Sequence, residues 1–315
     1  MRPPLRVVRN LDVAGVTWAR SFLRAAAQAG VPCSDEPARG HVNLYLGDEL
    51  PTPRVGRTVY FLAAFSATPG ECDDSNQRVR ELANIHAADL TITVSEAETA
   101  RVRTFAPSAR LHTGGFPVAV TACEKVGRLD SAEIRMDAVG TTGSVEAADH
   151  PARIDGARRT HPFRGATVCF IADDRPIKGL VFERQLILRL HALGYRTVHL
   201  SPSTLSNRRG LERLGCTVYE GLSGPAYWSV IAETTHFCST SAYESLCVSG
   251  IEAAMLGCAC AAPDVGGFRD WCPERYTPGD VASALASIAV ARPYVASLQR
   301  YLPRRFFSTV VEALQ

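Results

Sequence analysis

The sequence predicts an α/β protein of two doubly wound halves that face each other across a cleft. Three observations carry this prediction. Short apolar runs recur along the chain with helically spaced stretches between them, the alternation expected of strand and helix. The runs are continuously apolar, as strands of a parallel sheet covered on both faces are. Residues 121–163 are rich in Ala, Gly, Thr, Asp and Arg and poor in large apolar residues, so they cannot build a core and they divide the chain. A length of 315 residues is comfortable for two domains.

In the first half, residues 1–120, the expected strands are Leu5–Val8, Val42–Leu46, Thr58–Ala63, Asp89–Val94 and Arg110–Thr113. Between the first two lie Trp18, Phe22, Leu23 and Ala26, which is helical spacing. Residues 121–163 read as a linker carrying a mobile insertion. Its basic end, Arg153, Arg158, Arg159 and Arg164, is either a solvated segment or a clamp for an anionic acceptor. In the second half, residues 164–295, the strands are Ala166–Ala172, Thr197–Leu200, Thr217–Tyr219, His236–Ser239 and Ala259–Ala262. Helices fall at Leu180–Leu193 and Gly250–Leu256. Open parallel sheets bind ligands beyond the carboxyl ends of their strands, so the site belongs between the halves, on loops that follow strands.

Composition narrows the class. Hydrophobic residues make up 46% and charged residues 21%, the profile of a globular protein rather than a disordered, collagen-like or coiled-coil one. No run of about 18 apolar residues occurs, which argues against a transmembrane helix. The start lacks the apolar core of a signal peptide, so the expected location is cytoplasmic and the ten cysteines are expected to be reduced thiols. They include no C-x-x-C pair of the kind a structural zinc site uses. The net charge is +2, and residues 1–160 carry 19 basic and 19 acidic side chains, so that part is no basic nucleic-acid module. Lys125 and Lys178 are the only lysines among 34 basic residues. That bias reflects either a GC-rich coding source or a need for planar guanidinium groups.

The stretch richest in chemistry runs from Tyr243-Glu244 to Gly257. Glu244 and Glu252 flank seven residues, most of them small. The strand ending near Ser239 should lead into a loop holding Glu244. Ser249 or Gly250 should then open a helix with Glu252 in its first turn. A helix N-terminus with free N–H groups is a phosphate site. A carboxylate nearby accepts hydrogen bonds from hydroxyls such as a ribose diol. A nucleotide-sugar would suit both. The plainer alternative is that Glu252 complements the helix dipole and Glu244 is solvated.

The residues around this pair resemble glycosyltransferase family 4, retaining enzymes of the GT-B fold with two Rossmann-like domains. The resemblance rests first on Glu244, Glu252, Ala254-Met255-Leu-Gly257, the strand Cys258–Ala262, and Asp264-Val265-Gly266-Gly267. A second match is Ala88-Asp89-Leu-Thr-Ile-Thr-Val-Ser95-Glu96-Ala, followed by Gly114-Gly115-Phe-Pro117. A third is Phe170–Leu180, with Asp174-Arg175-Pro-Ile-Lys178-Gly179. Together they span about half of the chain. The resemblance implies that Arg175 and Lys178 neutralise the leaving diphosphate, where fixed cations lower the barrier most. It implies that Glu252 holds the ribose and Glu244 contacts the donor sugar or its phosphates. Backbone N–H groups near Leu246, Cys247 and Val248 would touch phosphates and sugar, and Gly15 would approach the donor phosphates. It further implies that residues 1–120 face the acceptor, that 164–295 bind the donor, and that a C-terminal helix in 296–315 returns to the first domain.

The chain departs from the family's pattern in places. Arg175 and Lys178 stand closer together than the family's pair, the closing turn at His112–Pro117 lacks the usual Pro-Asn, and the first half is short. His41, His86 and His112 are the candidates for the histidine many members carry there, and none is assigned to catalysis. Asp173-Asp174 is not the Asp-x-Asp of metal-dependent glycosyltransferases, so no metal and no cofactor beyond the co-substrate is expected. The expected activity is retaining hexosyl transfer from a UDP- or GDP-linked sugar to an unidentified acceptor hydroxyl. Three alternatives stand beside it. The acceptor could be a hydroxymethylated base in DNA, with Arg153–Arg164 and Arg300–Arg305 tracking phosphates. The basic and apolar Arg304-Arg305-Phe306-Phe307 could dock on a membrane, an option less favoured than packing. The chain could also be a non-catalytic nucleotide- or glycan-binding module.

Overall fold

The structure is a computed structural model and describes residues 4–9, 17–46, 50, 54–64, 75–120, 165–294 and 296–315. The expected linker at 121–163, its arginine-rich end and Gly15 lie outside the described residues.

The first sheet holds six strands: β1 (Leu5–Arg9), β2 (Cys33–Ser34), β3 (Val42–Leu46), β4 (Arg57–Leu62), β5 (Leu90–Thr93) and β6 (Leu111–Thr113). Every pairing is parallel, in the order β2-β1-β3-β4-β5-β6. The inner strands are buried along most of their length because helices cover both faces; β3 and β5 are buried at every residue. Helices α1 (Thr17–Gln28), α2 (Ser75–Ala87) and α3 (Glu96–Phe105) flank this sheet. Ser95 caps α3, its hydroxyl accepting from the Glu98 N–H, and Glu96 and Glu98 suit the positive end of the helix.

The second sheet holds β7 (Thr167–Ile171), β8 (Arg196–Ser201), β9 (Thr217–Glu220), β10 (His236–Cys238), β11 (Ala259–Pro263) and β12 (Glu274–Tyr276). Its order is β12-β11-β10-β7-β8-β9, again all parallel. Chain order therefore reverses between β7 and β10, and a ligand crevice belongs at the carboxyl ends of these two strands. Helices α4 (Leu180–Ala192), α5 (Arg208–Arg213), α6 (Gly224–Ala232), α7 (Val248–Met255) and α8 (Val281–Val290) follow.

The expected strands are all present, and the differences lie at the edges. Two of the four edge strands, β2 and β12, are short, and β12 buries Tyr276 while leaving Glu274 and Arg275 more open, so neither carries a readable apolar run. Helix α7 opens at Val248, earlier than the expected Ser249 or Gly250. Glu252 consequently sits in its second turn rather than its first, and the first turn has no acidic residue.

The last helix, α9 (Pro303–Ala313), packs against α1. Phe306 and Phe307 are buried and make edge contacts with Phe22 of α1, and Phe306 also meets Phe61 of β4. The guanidinium of Arg57 donates to the Leu314 carbonyl at 3.1 Å, and that of Arg110 to the Ala313 carbonyl at 2.6 Å. The chain end thus shares a core with the first sheet. The phenylalanines of the basic, apolar segment face that core, while Arg304 and Arg305 are exposed. Among the described residues no helix is long and apolar enough to cross a membrane.

The halves also meet at α3. Asp270 accepts from the Glu96 N–H at 2.8 Å, and the Tyr243 hydroxyl donates to the buried Glu98 carboxylate at 2.8 Å. The Arg101 guanidinium lies over the Tyr243 ring, 4.8 Å from its centroid.

Candidate active site

Two loops at the carboxyl ends of β7 and β10 are bolted together. After β7 the chain turns through a 3-10 segment, Pro176–Lys178, to Gly179, which opens α4 with φ +70°. A Cβ on Gly179 would lie 2.2 Å from the Thr240 carbonyl oxygen, so only glycine lets the loops touch there. The Thr240 hydroxyl donates to the Lys178 carbonyl at 2.8 Å, and the Ala242 N–H donates to the Ile177 carbonyl at 2.7 Å.

The loop after β10 is braced from the other side by the Gly266-Gly267 turn. A Cβ on Gly267 would meet the Ser245 carbonyl at 2.0 Å, and the Gly267 N–H donates to the Glu244 carbonyl at 2.9 Å. The Trp271 indole donates to the Leu246 carbonyl at 2.7 Å. This bracing holds Cys247 at φ +66° as the N-cap of α7, the one non-glycine residue with positive φ among the described residues. Such a conformation costs about 1–2 kcal/mol and survives where packing over-determines it.

The loops open into a cavity of about 430 Å³. Its lining includes the charged residues Asp173, Arg175 and Lys178. Val248, Ser249 and Glu252 of α7 line it as well, as do Leu200 to Pro202 at the end of β8 and Leu222 to Gly224 at the start of α6. Trp18, Ser21 and Arg24 of α1, from the first half, form the facing wall.

The charges at this site are paired in a chain. Lys178 Nζ bonds Glu244 Oε1, which also accepts from the Ser241 hydroxyl at 2.8 Å. Arg175 Nε donates to both carboxylate oxygens of Asp173, at 3.0 and 3.1 Å. Burial alone would raise the Asp173 pKa, but the bonds from Arg175 and the charge of Lys178 outweigh it and hold the carboxyl below its ordinary range. Asp174 turns away and accepts from the Ser206 N–H, so the adjacent aspartates do not converge. Burial raises the pKa of Glu252, against hydrogen bonds from Trp228 and Tyr227 and the nearby charge of Arg24. The Trp228 Nε1–H donates to Glu252 Oε1 at 3.3 Å.

The structure therefore brings Arg175, Lys178, Val248 and Glu252 to one cavity, with Glu244 behind Lys178 rather than on the lining. Leu246 and Cys247 bury their side chains; what they could offer a ligand is backbone. His41, His86 and His112 do not line the cavity. His112 is partly buried, and burial lowers its pKa. Sequence reasoning missed Tyr227, Trp228, Ser21 and Arg24. The Tyr-Trp pair has no motif, and α1 declared only its core face; the spacing of Trp18, Ser21 and Arg24, three apart each time, was the available signal.

By sequence, the chain matches no family model and no curated protein. Its fold is that of solved glycosyltransferases. HepE of Anabaena in complex with UDP-glucose superposes with a TM-score of 0.60 at 13% identity, covering 98% of this chain and 99% of that one. Sucrose-phosphate synthase from Thermosynechococcus elongatus gives 0.54 at 15% identity, covering 94% and 72%. TarM gives 0.55 at 12% identity, covering 88% of this chain and 52% of its own, so the chain spans about half the length of TarM. The architecture is thus the GT-B arrangement of two doubly wound halves.

Proposed function

We propose that the protein is a glycosyltransferase that moves a sugar from a nucleoside-diphosphate sugar to an acceptor hydroxyl. The observation that carries this reading is the cavity at the β7/β10 reversal, lined by Arg175, Lys178 and Glu252. A diphosphate fits the cations and a ribose diol fits the carboxylate. The neighbours support it: HepE is described with UDP and glucose, and TarM with UDP and α-GlcNAc-glycerol.

Under this reading the residues act as follows. Arg175 and Lys178 stabilise the charge that grows on the departing diphosphate, within a site whose preorganisation costs nothing at the moment of reaction. Glu244 and Ser241 fix the Lys178 ammonium in place. Backbone N–H groups at the start of α7 face the phosphates. The bond between the anomeric carbon and the phosphate oxygen breaks, and its electron pair leaves with the diphosphate. The acceptor oxygen bonds to the same face of the anomeric carbon, and its proton passes to a departing phosphate oxygen. Configuration is then retained with no metal ion required. Closure of the two halves excludes water and limits donor hydrolysis.

The test is thermal stability of wild type and Glu252→Ala with UDP, GDP, ADP, CDP and dTDP. A nucleotide at 100 times its dissociation constant stabilises by ~2.7 kcal/mol. One nucleotide should raise the melting temperature of wild type and fail to do so in the variant. An unchanged shift in Glu252→Ala overturns the site assignment. Binding without any hydrolysis of the matching nucleotide-sugar above background turns the reading into a non-catalytic module.

A further inference from the structure

The wall of the cavity that faces Glu252 is not part of the second half. It is α1, whose residues Trp18, Ser21 and Arg24 border the opening while Phe22, Ala25 and Ala26 bury into the core of the first half. The Arg24 guanidinium stands over the Trp228 ring, 5.7 Å from its centroid, and is steadied by the Ser21 hydroxyl at 3.1 Å. Trp228 in turn donates to Glu252 at 3.3 Å. A cation carried by one half therefore stands over the indole that orients a carboxylate carried by the other.

We propose that Arg24 is a donor-binding residue, which grips the ribose hydroxyls from the first half while Glu252 holds them from the second. The proposal rests on the donor reading above. Its chemistry follows from the diol. Each ribose hydroxyl has one hydrogen to give and lone pairs to offer. Glu252 can only accept, so it takes the hydrogens and leaves the lone pairs. A guanidinium can only donate, and its rigid fork, placed over an indole ring, meets two neighbouring oxygens in a way an ammonium cannot. A ligand held at both residues ties the halves together, so donor binding and closure of the cleft become one equilibrium.

The experiment measures UDP and 2′,3′-dideoxy-UDP affinity by calorimetry for the full chain as wild type, Arg24→Ala, Arg24→Lys, Arg20→Ala and Glu252→Ala. Arg24 is exposed, so its removal should leave the melting temperature without nucleotide unchanged. A lost charge-assisted bond should weaken UDP about tenfold or more in Arg24→Ala, with incomplete rescue by lysine. Arg20→Ala, the same charge lost from the same helix, should bind as wild type does. The penalty for deleting the hydroxyls should shrink in Arg24→Ala. Arg24→Ala binding UDP within about twofold of wild type, or weakening UDP and its dideoxy analogue equally, overturns the proposal while Glu252→Ala still tests the donor site. Wild type binding none of UDP, GDP, ADP, CDP and dTDP in the same calorimetry overturns the donor reading and this proposal with it.

Discussion

At Gly267 the site depends on a single missing methyl group. A Cβ there would stand 2.0 Å from the Ser245 carbonyl oxygen and 2.7 Å from the Leu246 Cα, all backbone that cannot swing aside. Gly267→Ala should therefore push the loop after β10 off the Gly266-Gly267 turn and cost about 1–3 kcal/mol, the range for overpacking. Gly279 is the matched control, with φ +77° and nothing within 4 Å of its Cβ position. Gly279→Ala should lose about 1–2 kcal/mol to backbone strain alone. Urea midpoints give the two costs. Nucleotide binding should separate them, lost with Gly267→Ala and kept with Gly279→Ala; equal binding would remove the bracing role of Gly267. The sequence marked Glu244, Glu252 and the glycine pair through the order they share with the family it resembles, but the bracing role of Gly267 is visible only in the fold. Arg24 and Trp228 could not be read. Their meaning lies in a contact between residues some 200 positions apart in the chain; the spacing of Trp18, Ser21 and Arg24 marks one face of α1 but does not say what that face meets.

Elements carry a second kind of information, in the polar groups buried between them. His199 of β8 lies wholly buried against Glu183 of α4, Nδ1 to Oε1 at 2.6 Å, with its Nε2 3.2 Å from the Ala172 carbonyl at the end of β7. Burial would lower its pKa, but the bond and charge of Glu183, helped by the Ala172 carbonyl and Asp174, raise it instead. A raised folded pKa means that His199 contributes fully below its ordinary value of about 6.5 and loses that contribution as pH rises through the raised value. His236, opening β10, is the opposite case. Burial, with the charge of Arg292, lowers its pKa to about 4. Its contribution is present above about 6.5 and is lost as pH falls toward 4. The two histidines together should give a stability profile that declines on both sides of about pH 6.5. Denaturant unfolding across pH should show His199→Gln flattening the alkaline limb and His236→Asn the acid limb. Limbs unmoved by either substitution would show that other groups set the profile. Strands were the most legible elements because burial on both faces writes an unbroken apolar run. The edge strands β2 and β12 and the first turn of α7 were less so: β12 buries mainly Tyr276, and the start of α7 is set by the bracing of Cys247 rather than by a capping side chain.

For the whole molecule, the division into two doubly wound halves was readable from the repeat of strand and helix and from the poverty of 121–163. The return of a C-terminal helix to the first half was implied by the family resemblance, but the residues it meets there were not readable. The core of the first sheet is completed by the last residues of the chain: Phe306 is fully buried and meets Phe22 and Phe61 edge-on, with Phe307 beside it. Read as sequence, Arg304-Arg305-Phe306-Phe307 favoured packing over a membrane surface, but a cluster of aromatics has no direction until the fold supplies its partners. The partners make the prediction. Phe306→Ala should cost about 3–5 kcal/mol, the range for emptying a buried aromatic site, although the residue lies in the final helix. The damage should also be local to the first half, since α9 touches α1 and the first sheet. Trp18 reports there, 6.1 Å from the Phe61 ring, while Trp271 reports from the core of the second half. With the other two tryptophans in turn replaced by phenylalanine, fluorescence should follow Trp18 unfolding early in Phe306→Ala and Trp271 unfolding where it does in the wild type. Simultaneous loss of both signals would mean that the contacts of Tyr243, Glu98 and Asp270 bind the halves into one cooperative unit, and that the chain end stabilises the donor cavity as well as its own sheet.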